Sequence, residues 1–241
     1  MYYHKRLIKA GGILGISGIV LFLINVVVME QLYFQKLPIH TTRDFLRIFG
    51  GSPWREMNMG IHLSMIAVMI LFIAAFLGLY HSLTADKLRI TATWGTVTGI
   101  LACTVMIVQG TVQGAVMVKL AKMFAGAGDE PQRQAVILLY QGLRIIDQGI
   151  DLAFDGLFFT AWILLGFAML NSRFFGKVLG AIGIFSFSAS AVLNIWTAPD
   201  PPRFEISPFV SLWILVVFVR MLRSSKALPS PTEAADPARP L

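Results

Sequence analysis

The chain is poor in charged residues and has almost no cysteine. Only 14% of its 241 residues are charged and 56% are hydrophobic, whereas an ordinary soluble domain carries about 25% charged residues. This composition excludes a soluble enzyme and is typical of a protein that uses lipid as its solvent. The single cysteine, Cys103, excludes an internal disulfide and any zinc or iron–sulfur site built from four thiolates.

Acidic residues are also scarce, at 13 against 20 Lys and Arg, which gives a net charge of +7. The basic residues lie in short segments between apolar runs, a pattern that favours membrane topology over nucleic-acid binding. With both termini in the cytoplasm, eleven Lys and Arg fall inside and nine outside, the inner ones over fewer residues. We therefore predict a multi-pass protein of the bacterial cytoplasmic (inner) membrane, with cytoplasmic N- and C-termini and no nucleic-acid partner.

The chain contains long apolar runs without Asp, Glu, Lys or Arg. Because a bilayer span needs about 20 apolar residues, six such runs predict an all-α, polytopic bundle of six transmembrane helices. We expect one transmembrane domain over 1–223 and a disordered tail over 224–241, which is rich in proline and alanine. The sixth span is long enough only if it takes in Arg220. The predicted spans are approximately 10–29, 57–80, 92–118, 150–171, 177–197 and 206–223.

Two outer connections carry helix signals of their own. Thr41 to Phe49, followed by Gly50-Gly51, predicts a short capped amphipathic helix on the membrane surface. Between helices 3 and 4 the only strong helix breaker is Gly126 to Pro131, so we expect these two helices to form an extended hairpin on the outer side. Glycine pairs four residues apart predict close helix packing, namely Gly95 with Gly99, Gly110 with Gly114, and Gly176 with Gly180.

Helix 4 carries a polar stripe. Its members recur every three or four residues, so they share one helix face: Gln141, Arg144, Gln148, Asp151 and Asp155, with Asp147 beside them. A charge at the bilayer centre costs about 2.5 to 3.5 kcal/mol on insertion scales. We therefore expect this face to turn towards protein or water.

Other helices have polar residues that we expect at the same depth. Folding the hairpin near Gly128 places Gln109 opposite Asp147, and Gln113 opposite Leu143 or Arg144, while His62, Asn25 and Asn194 lie in the outer parts of helices 2, 1 and 5. One hypothesis is an outward-open pocket in which Asp151 and Asp155 bind a cation, a proton, or a basic or hydroxylated solute. The alternative is that Arg144 pairs with Asp147 or Asp151, the glutamines bond across the hairpin, and the residues only fix helix register.

The sequence offers little for metal or cofactor chemistry. His62, Met65 and Met69 share one face of helix 2, and imidazole with thioethers would suit Cu(I), although methionine is also ordinary packing material. The other histidines, His4, His40 and His81, are expected at the interface or in solvent. None of the motifs HExxH, GxSxG, Walker A or GxGxxG occurs, so we expect no cofactor, and the sequence favours a protein without enzymatic activity over an enzyme.

The junction from Ala161 to Gly183, with Trp162 in the ending helix and Gly176-Lys177-Val178-Leu179-Gly180 opening the next, resembles a group of bacterial six-helix membrane proteins classed as a domain of unknown function. In that group a proline precedes the corresponding Arg-x-Leu-Gly-like entry, and here it is absent. The resemblance implies a six-helix architecture and supplies no catalytic residue or substrate.

Three functions are compatible with these patterns. The first is binding or transport of a small solute or ion through the outer polar pocket. The second is a non-catalytic interaction subunit, whose hairpin and 30–56 segment contact a membrane protein partner or a second copy of the chain. The third is an intramembrane enzyme that modifies lipid, which would need a nucleophile or base near His62.

Overall fold

The computed structural model describes residues 2–29, 39–51, 53–84, 89–197 and 207–227. Within these ranges it is all-helical and has no strand. The elements in chain order are α1 (Tyr2–Met29), α2 (Thr42–Gly50), α3 (Trp54–Leu83), α4 (Arg89–Thr111), a π-helix (Val112–Met117), α5 (Val118–Gly126), α6 (Glu130–Leu170), α7 (Lys177–Thr197) and α8 (Ser207–Ala227).

Five stretches of the described helices are long and apolar enough to cross a membrane, as in a multi-pass membrane protein. They are His4–Val28, Trp54–Leu83, Ile90–Gly126, Glu130–Leu170 and Lys177–Asn194. The sixth predicted span corresponds to α8, which is not among these five, so its crossing stays a prediction. The predicted helix breaks are confirmed between α5 and α6, where Gly126 ends one helix and Glu130 begins the next.

The end of α8 differs from the expected start of a disordered tail. The helix continues to Ala227, four residues beyond the predicted boundary. Ser224 and Ser225 are buried, and their hydroxyls donate to the carbonyls of Met221 and Leu222, 2.7 Å away in both cases. The helix itself therefore satisfies these polar side chains. Residues 228–241 lie outside the described part of the chain.

The chain divides into two compact units. Unit 1 comprises Met1–Ile19, Leu71–Leu101 and Asp155–Leu241, and unit 2 comprises Val20–Ile70 and Ala102–Phe154. An aromatic core fills unit 1: Trp162 is fully buried and stacks on Phe187, with ring centroids 5.7 Å apart, and packs edge-on against Trp213. Such clusters supply much of the buried area of a helical core.

Glycines let the helices of unit 1 touch through their backbones. A Cβ built on Gly78 of α3 would lie 2.7 Å from the Cα of Gly11 on α1, and one on Gly180 of α7 would lie 2.7 Å from the Gly166 carbonyl oxygen of α6. Close packing is confirmed for five of the six predicted glycines in the two units, against backbone or side-chain atoms of another helix. Gly176 is the exception, because its φ of +80° and the open space around it make it a turn residue.

Unit 2 contains the short helix α2, as predicted. Its N-terminus is a capping box: the Asp44 amide donates to Thr41 Oγ1 at 3.1 Å, and the Thr41 amide donates to Asp44 Oδ2 at 3.0 Å. The hydrogen bond from the Thr41 side chain, with those from the His40 and Thr41 amides, lowers the pKa of Asp44 below its ordinary value. The charged form of this carboxylate therefore stabilises the start of α2.

The apolar face of α2 packs against protein, and the predicted position of this helix on the membrane surface stays a prediction. Leu46 and Phe49 are completely buried, because α5 and α6 offer them a protein surface. Gly50 acts as a contact residue here, since a Cβ on it would lie 2.7 Å from the Ala121 carbonyl oxygen. The cluster consists of Leu46, Phe49, Met117, Ala121, Phe124, Val136, Ile137 and Tyr140, and an ion pair between Arg43 and Glu130 also links α2 to α6.

Replacing Gly78 by alanine should destabilise the protein, because the added methyl group meets the Gly11 backbone, which cannot move aside as a side chain could. We expect a loss of about 1 to 3 kcal/mol in the free energy of unfolding, as for other overpacked sites. Gly60→Ala on the same helix is the control: nothing lies within 4 Å of its Cβ position, and alanine there should be neutral or stabilise by up to about 1 kcal/mol. Reversible unfolding in detergent measures the free energy of unfolding of both variants. Equal changes in the two would contradict the backbone contact between Gly78 and Gly11.

Candidate functional site

Asp147 is the centre of the polar cluster in unit 2. The residue is only 2% exposed, yet its side chain accepts three hydrogen bonds of 3.0 Å. Arg144 Nη1 donates one, and Gln113 Nε2 donates to both carboxylate oxygens. A buried carboxylate is tolerated where a cation and polar donors surround it. This group therefore matches the register-fixing alternative, in which Arg144 pairs with Asp147 and a glutamine bonds across the hairpin.

Asp151, one turn further along α6, has a different environment. The residue is exposed, and its Oδ1 accepts a hydrogen bond of 3.2 Å from Gln109 Nε2. Gln109 is only 3% exposed, and its carbonyl oxygen Oε1 is buried without a hydrogen-bond donor. Because both atoms belong to one amide group, this unpaired acceptor lies close to the Asp151 carboxylate.

The hairpin pairing is displaced by one helical turn from its predicted register. Gln109 meets Asp151 and Gln113 meets Asp147, whereas counting from Gly128 had placed Gln109 opposite Asp147. Side chains of packed helices meet only at every third or fourth position. Residue counting from a turn therefore fixes the facing pair only to within about one turn.

A π-helix positions part of the cluster, and no residue pattern in the sequence predicts it. The π-helix Val112–Met117 connects α4 to α5, and it contains both Gln113 and Gly114. Gln113 contacts Asp147 on α6, while Gly114 passes α3 so closely that its Cβ would lie 3.0 Å from the Cβ of His62. Single π turns inside α-helices are rare and frequent at functional sites. The turn thus lets adjacent residues contact two different helices.

His62 is partly buried in α3 and lies beside Gly114 of the π-helix. Its proposed partners for Cu(I), Met65 and Met69, are both buried in α3. Among the described residues, no group of three or more His, Cys, Asp or Glu could hold a metal ion. That observation does not test a thioether site, so the Cu(I) site stays a prediction.

The remaining polar residues form two separate pairs. In unit 2, Ser64 Oγ donates to Asn25 Oδ1 at 2.5 Å, a contact that the sequence analysis missed because a serine in an apolar helix is unremarkable. In unit 1, Asn194 Nδ2 on α7 donates to Asp155 Oδ2 at 3.0 Å. Asp155 is therefore turned towards a polar group of another helix, as expected of a carboxylate on a membrane helix.

Comparisons with known proteins add no function: no family model, no curated protein and no solved structure matches the chain. The resemblance around Ala161 to Gly183 therefore stays a prediction.

A double-mutant cycle should show that Gln113 and Asp147 are coupled. Gln113→Leu leaves the buried Asp147 carboxylate with fewer donors, and Asp147→Leu leaves the partly buried Gln113 amide without its partner, whereas the double variant removes both groups. We expect a coupling free energy of about 0.6 kcal/mol, and up to about 1.7 kcal/mol, as between other membrane helices. Unfolding in lipid–detergent bicelles measures it.

Gln148 provides the matched control, because it is exposed on the same stripe of α6. A cycle between Gln113→Leu and Gln148→Leu should be additive within about 0.3 to 0.5 kcal/mol. Additivity in the Gln113–Asp147 cycle as well would show that their hydrogen bonds do not stabilise the fold.

Proposed function

We propose that the protein is a six-span membrane protein that binds a small cationic or hydrogen-bond-donating solute at Asp151 and Gln109. One observation carries this proposal: a buried amide oxygen without a donor lies beside an exposed carboxylate. Buried polar groups in proteins are nearly always hydrogen-bonded, so the unpaired oxygen favours a ligand that supplies a donor or a positive charge.

Helix length supports access from water. α6 has 41 residues and is therefore about 60 Å long, twice the thickness of the hydrocarbon core. α7 begins at Lys177, a few residues after Leu170, so we take Leu170 as the inner end of the span. Counting about 20 residues back from Leu170 brings Asp151 to the outer boundary, and it places the preceding half of α6, with its hairpin partner α5, outside the bilayer.

The chemistry of the two side chains selects the ligand class. The Asp151 carboxylate and the Gln109 carbonyl are both acceptors, and the neighbouring guanidinium of Arg144 is bonded to Asp147. A proton, an alkali cation or an organic ammonium ion would find both charge neutralisation and oxygen ligands here. We therefore assign Asp147, Arg144 and Gln113 to holding the helices in place, and Asp151 and Gln109 to binding.

Substituting Asp151→Asn should weaken binding of the ligand class by roughly ten- to hundredfold, since hydrogen bonds to charged groups contribute about 1.5 to 3 kcal/mol. The probes are methylammonium, guanidinium and Na⁺, titrated calorimetrically into purified protein in lipid nanodiscs. Gln109→Leu, which removes the unpaired oxygen, should weaken binding of the same probe.

Asp129→Asn is the control for surface charge, because Asp129 is an exposed carboxylate in the turn between α5 and α6. It should leave binding unchanged. If no probe binds the unsubstituted protein, or if Asp151→Asn binds as well as the unsubstituted protein does, the proposal is wrong.

The interaction-subunit alternative is favoured by a second observation, an exposed apolar face on α6. Leu138, Ile145 and Leu152 are 59%, 71% and 49% exposed, and Gly142 and Gly149 lie between them with nothing within 4 Å of their Cβ positions. Taken together, these five residues follow one another at alternating spacings of four and three, as in the seam of a coiled coil. Large exposed apolar patches outside a membrane mark interaction sites.

The occupant that fits this face is a second copy of the chain. The same face carries both the protruding Leu and Ile side chains and the glycine gaps that admit them, and heptad-spaced small residues allow two parallel helices to approach closely. An open cavity of about 400 Å³ borders the seam at Gly149, lined by apolar residues such as Val105, Val108 and Ile150. A side chain of a second copy could enter it.

Gly142→Leu should weaken dimerisation by about tenfold or more, because a large side chain fills the gap that the partner helix needs. Single-molecule photobleaching of labelled protein in lipid vesicles counts the copies. Gly60→Leu, at an open position on α3, is the control and should not change the dimer fraction. A strictly monomeric unsubstituted protein would refute this second function without affecting the solute site.

A further inference from the structure

Two histidines of unit 1 meet, and neither belongs to the polar cluster of unit 2. His4 of α1 and His81 of α3 approach with their Nδ1 atoms 3.0 Å apart. Their ring centroids are 4.9 Å apart and the ring planes are inclined by 64°. His4 is exposed and His81 is partly exposed, so solvent species can reach the pair. The sequence predicts an interfacial or solvent-facing position for each of them and carries no signal that they meet.

Backbone packing brings the two rings together. Gly11 and Gly78 are in contact, and a Cβ on either would lie 2.7 Å from the other residue's Cα. His4 precedes Gly11 by seven residues, about two helical turns, and His81 follows Gly78 by three. The contact between these two glycines sets the distance between α1 and α3. The backbone positions from which the two imidazole side chains extend are therefore close together and fixed.

The nitrogen separation suits coordination of one metal ion. Metal–imidazole bonds measure about 2.0 to 2.1 Å, so an ion bound to both nitrogens at their present separation of 3.0 Å would subtend an angle of roughly 91 to 97°. That is close to the cis angle of square-planar or octahedral coordination, whereas a tetrahedral ion would need the nitrogens about 3.3 Å apart. Imidazole nitrogen in a tetragonal arrangement is typical of Cu²⁺ and Ni²⁺.

We propose that His4 and His81 form a two-imidazole site for Cu²⁺, with Ni²⁺ bound more weakly in the order general for divalent metals. Each ring would coordinate through Nδ1 and carry its hydrogen on Nε2. The ring that donates from Nδ1 in the present hydrogen bond would therefore change tautomer, losing the hydrogen on Nδ1 and gaining one on Nε2. Water fills the remaining positions. The site joins the beginning of α1 to the end of α3, and it does not depend on the proposed solute site.

Copper titration of the purified protein tests this site. We expect one Cu²⁺ per chain whose electron paramagnetic resonance spectrum shows coupling to two nitrogens. His4→Gln and His81→Gln should each lower the affinity for Cu²⁺ at least about tenfold. Substituting a residue that only hydrogen-bonds to a metal ligand already lowers metal affinity about 10- to 100-fold. His40→Gln, at an exposed histidine of unit 2, is the matched control and should bind as the unsubstituted protein does.

Three results would overturn the site. One is absence of a two-nitrogen copper signal in the unsubstituted protein. Another is unchanged binding in both single variants. The last is binding that requires His4 but not His81, which would indicate chelation by backbone nitrogens near His4. Circular dichroism of each variant shows that the helices are retained, so that a lost signal reports lost ligands.

Discussion

A carboxylate can be buried between packed helices only where donors surround it, and Asp147 meets this requirement with three hydrogen bonds. Two of those bonds come from Gln113, which reaches Asp147 from within a π-helical turn. The register of the hairpin follows from them, because Gln113 opposite Asp147 places Gln109 opposite Asp151 one turn away. The features that define the candidate site therefore depend on the need to satisfy one buried charge.

The difference between the two carboxylates explains why one is assigned to structure and the other to binding. Asp147 is buried and accepts hydrogen bonds from the Arg144 guanidinium and the Gln113 amide. A ligand at Asp147 would therefore have to displace these hydrogen bonds. Asp151 is exposed, and the amide that donates to it has an oxygen without a donor. The two residues share a helix and a chemical group, and their surroundings decide their roles.

Helix positions could be predicted well from the sequence because they depend on local properties. The absence of charge marks the apolar runs, Thr41 and Asp44 mark the start of α2, and Gly126 marks the end of α5. Contacts between distant residues could not be predicted in the same way. The burial of Leu46, the partner of Asn25 and the pairing of His4 with His81 depend on which helix faces meet. The π-helix is a local feature, but no residue type requires it.

Glycine shows most directly how one residue type takes its meaning from three-dimensional context. Gly176 and Gly180 looked like one packing pair, yet Gly176 has a positive φ in a turn and Gly180 touches the backbone of α6. Gly142 and Gly149 are helical and have open space beside them, which favours packing against a partner molecule. Gly11 and Gly78 already have their partners in each other, and their contact brings two histidines within coordination distance. Small residues in this chain thus set where polar side chains meet, although none of them can bind a ligand through a side chain.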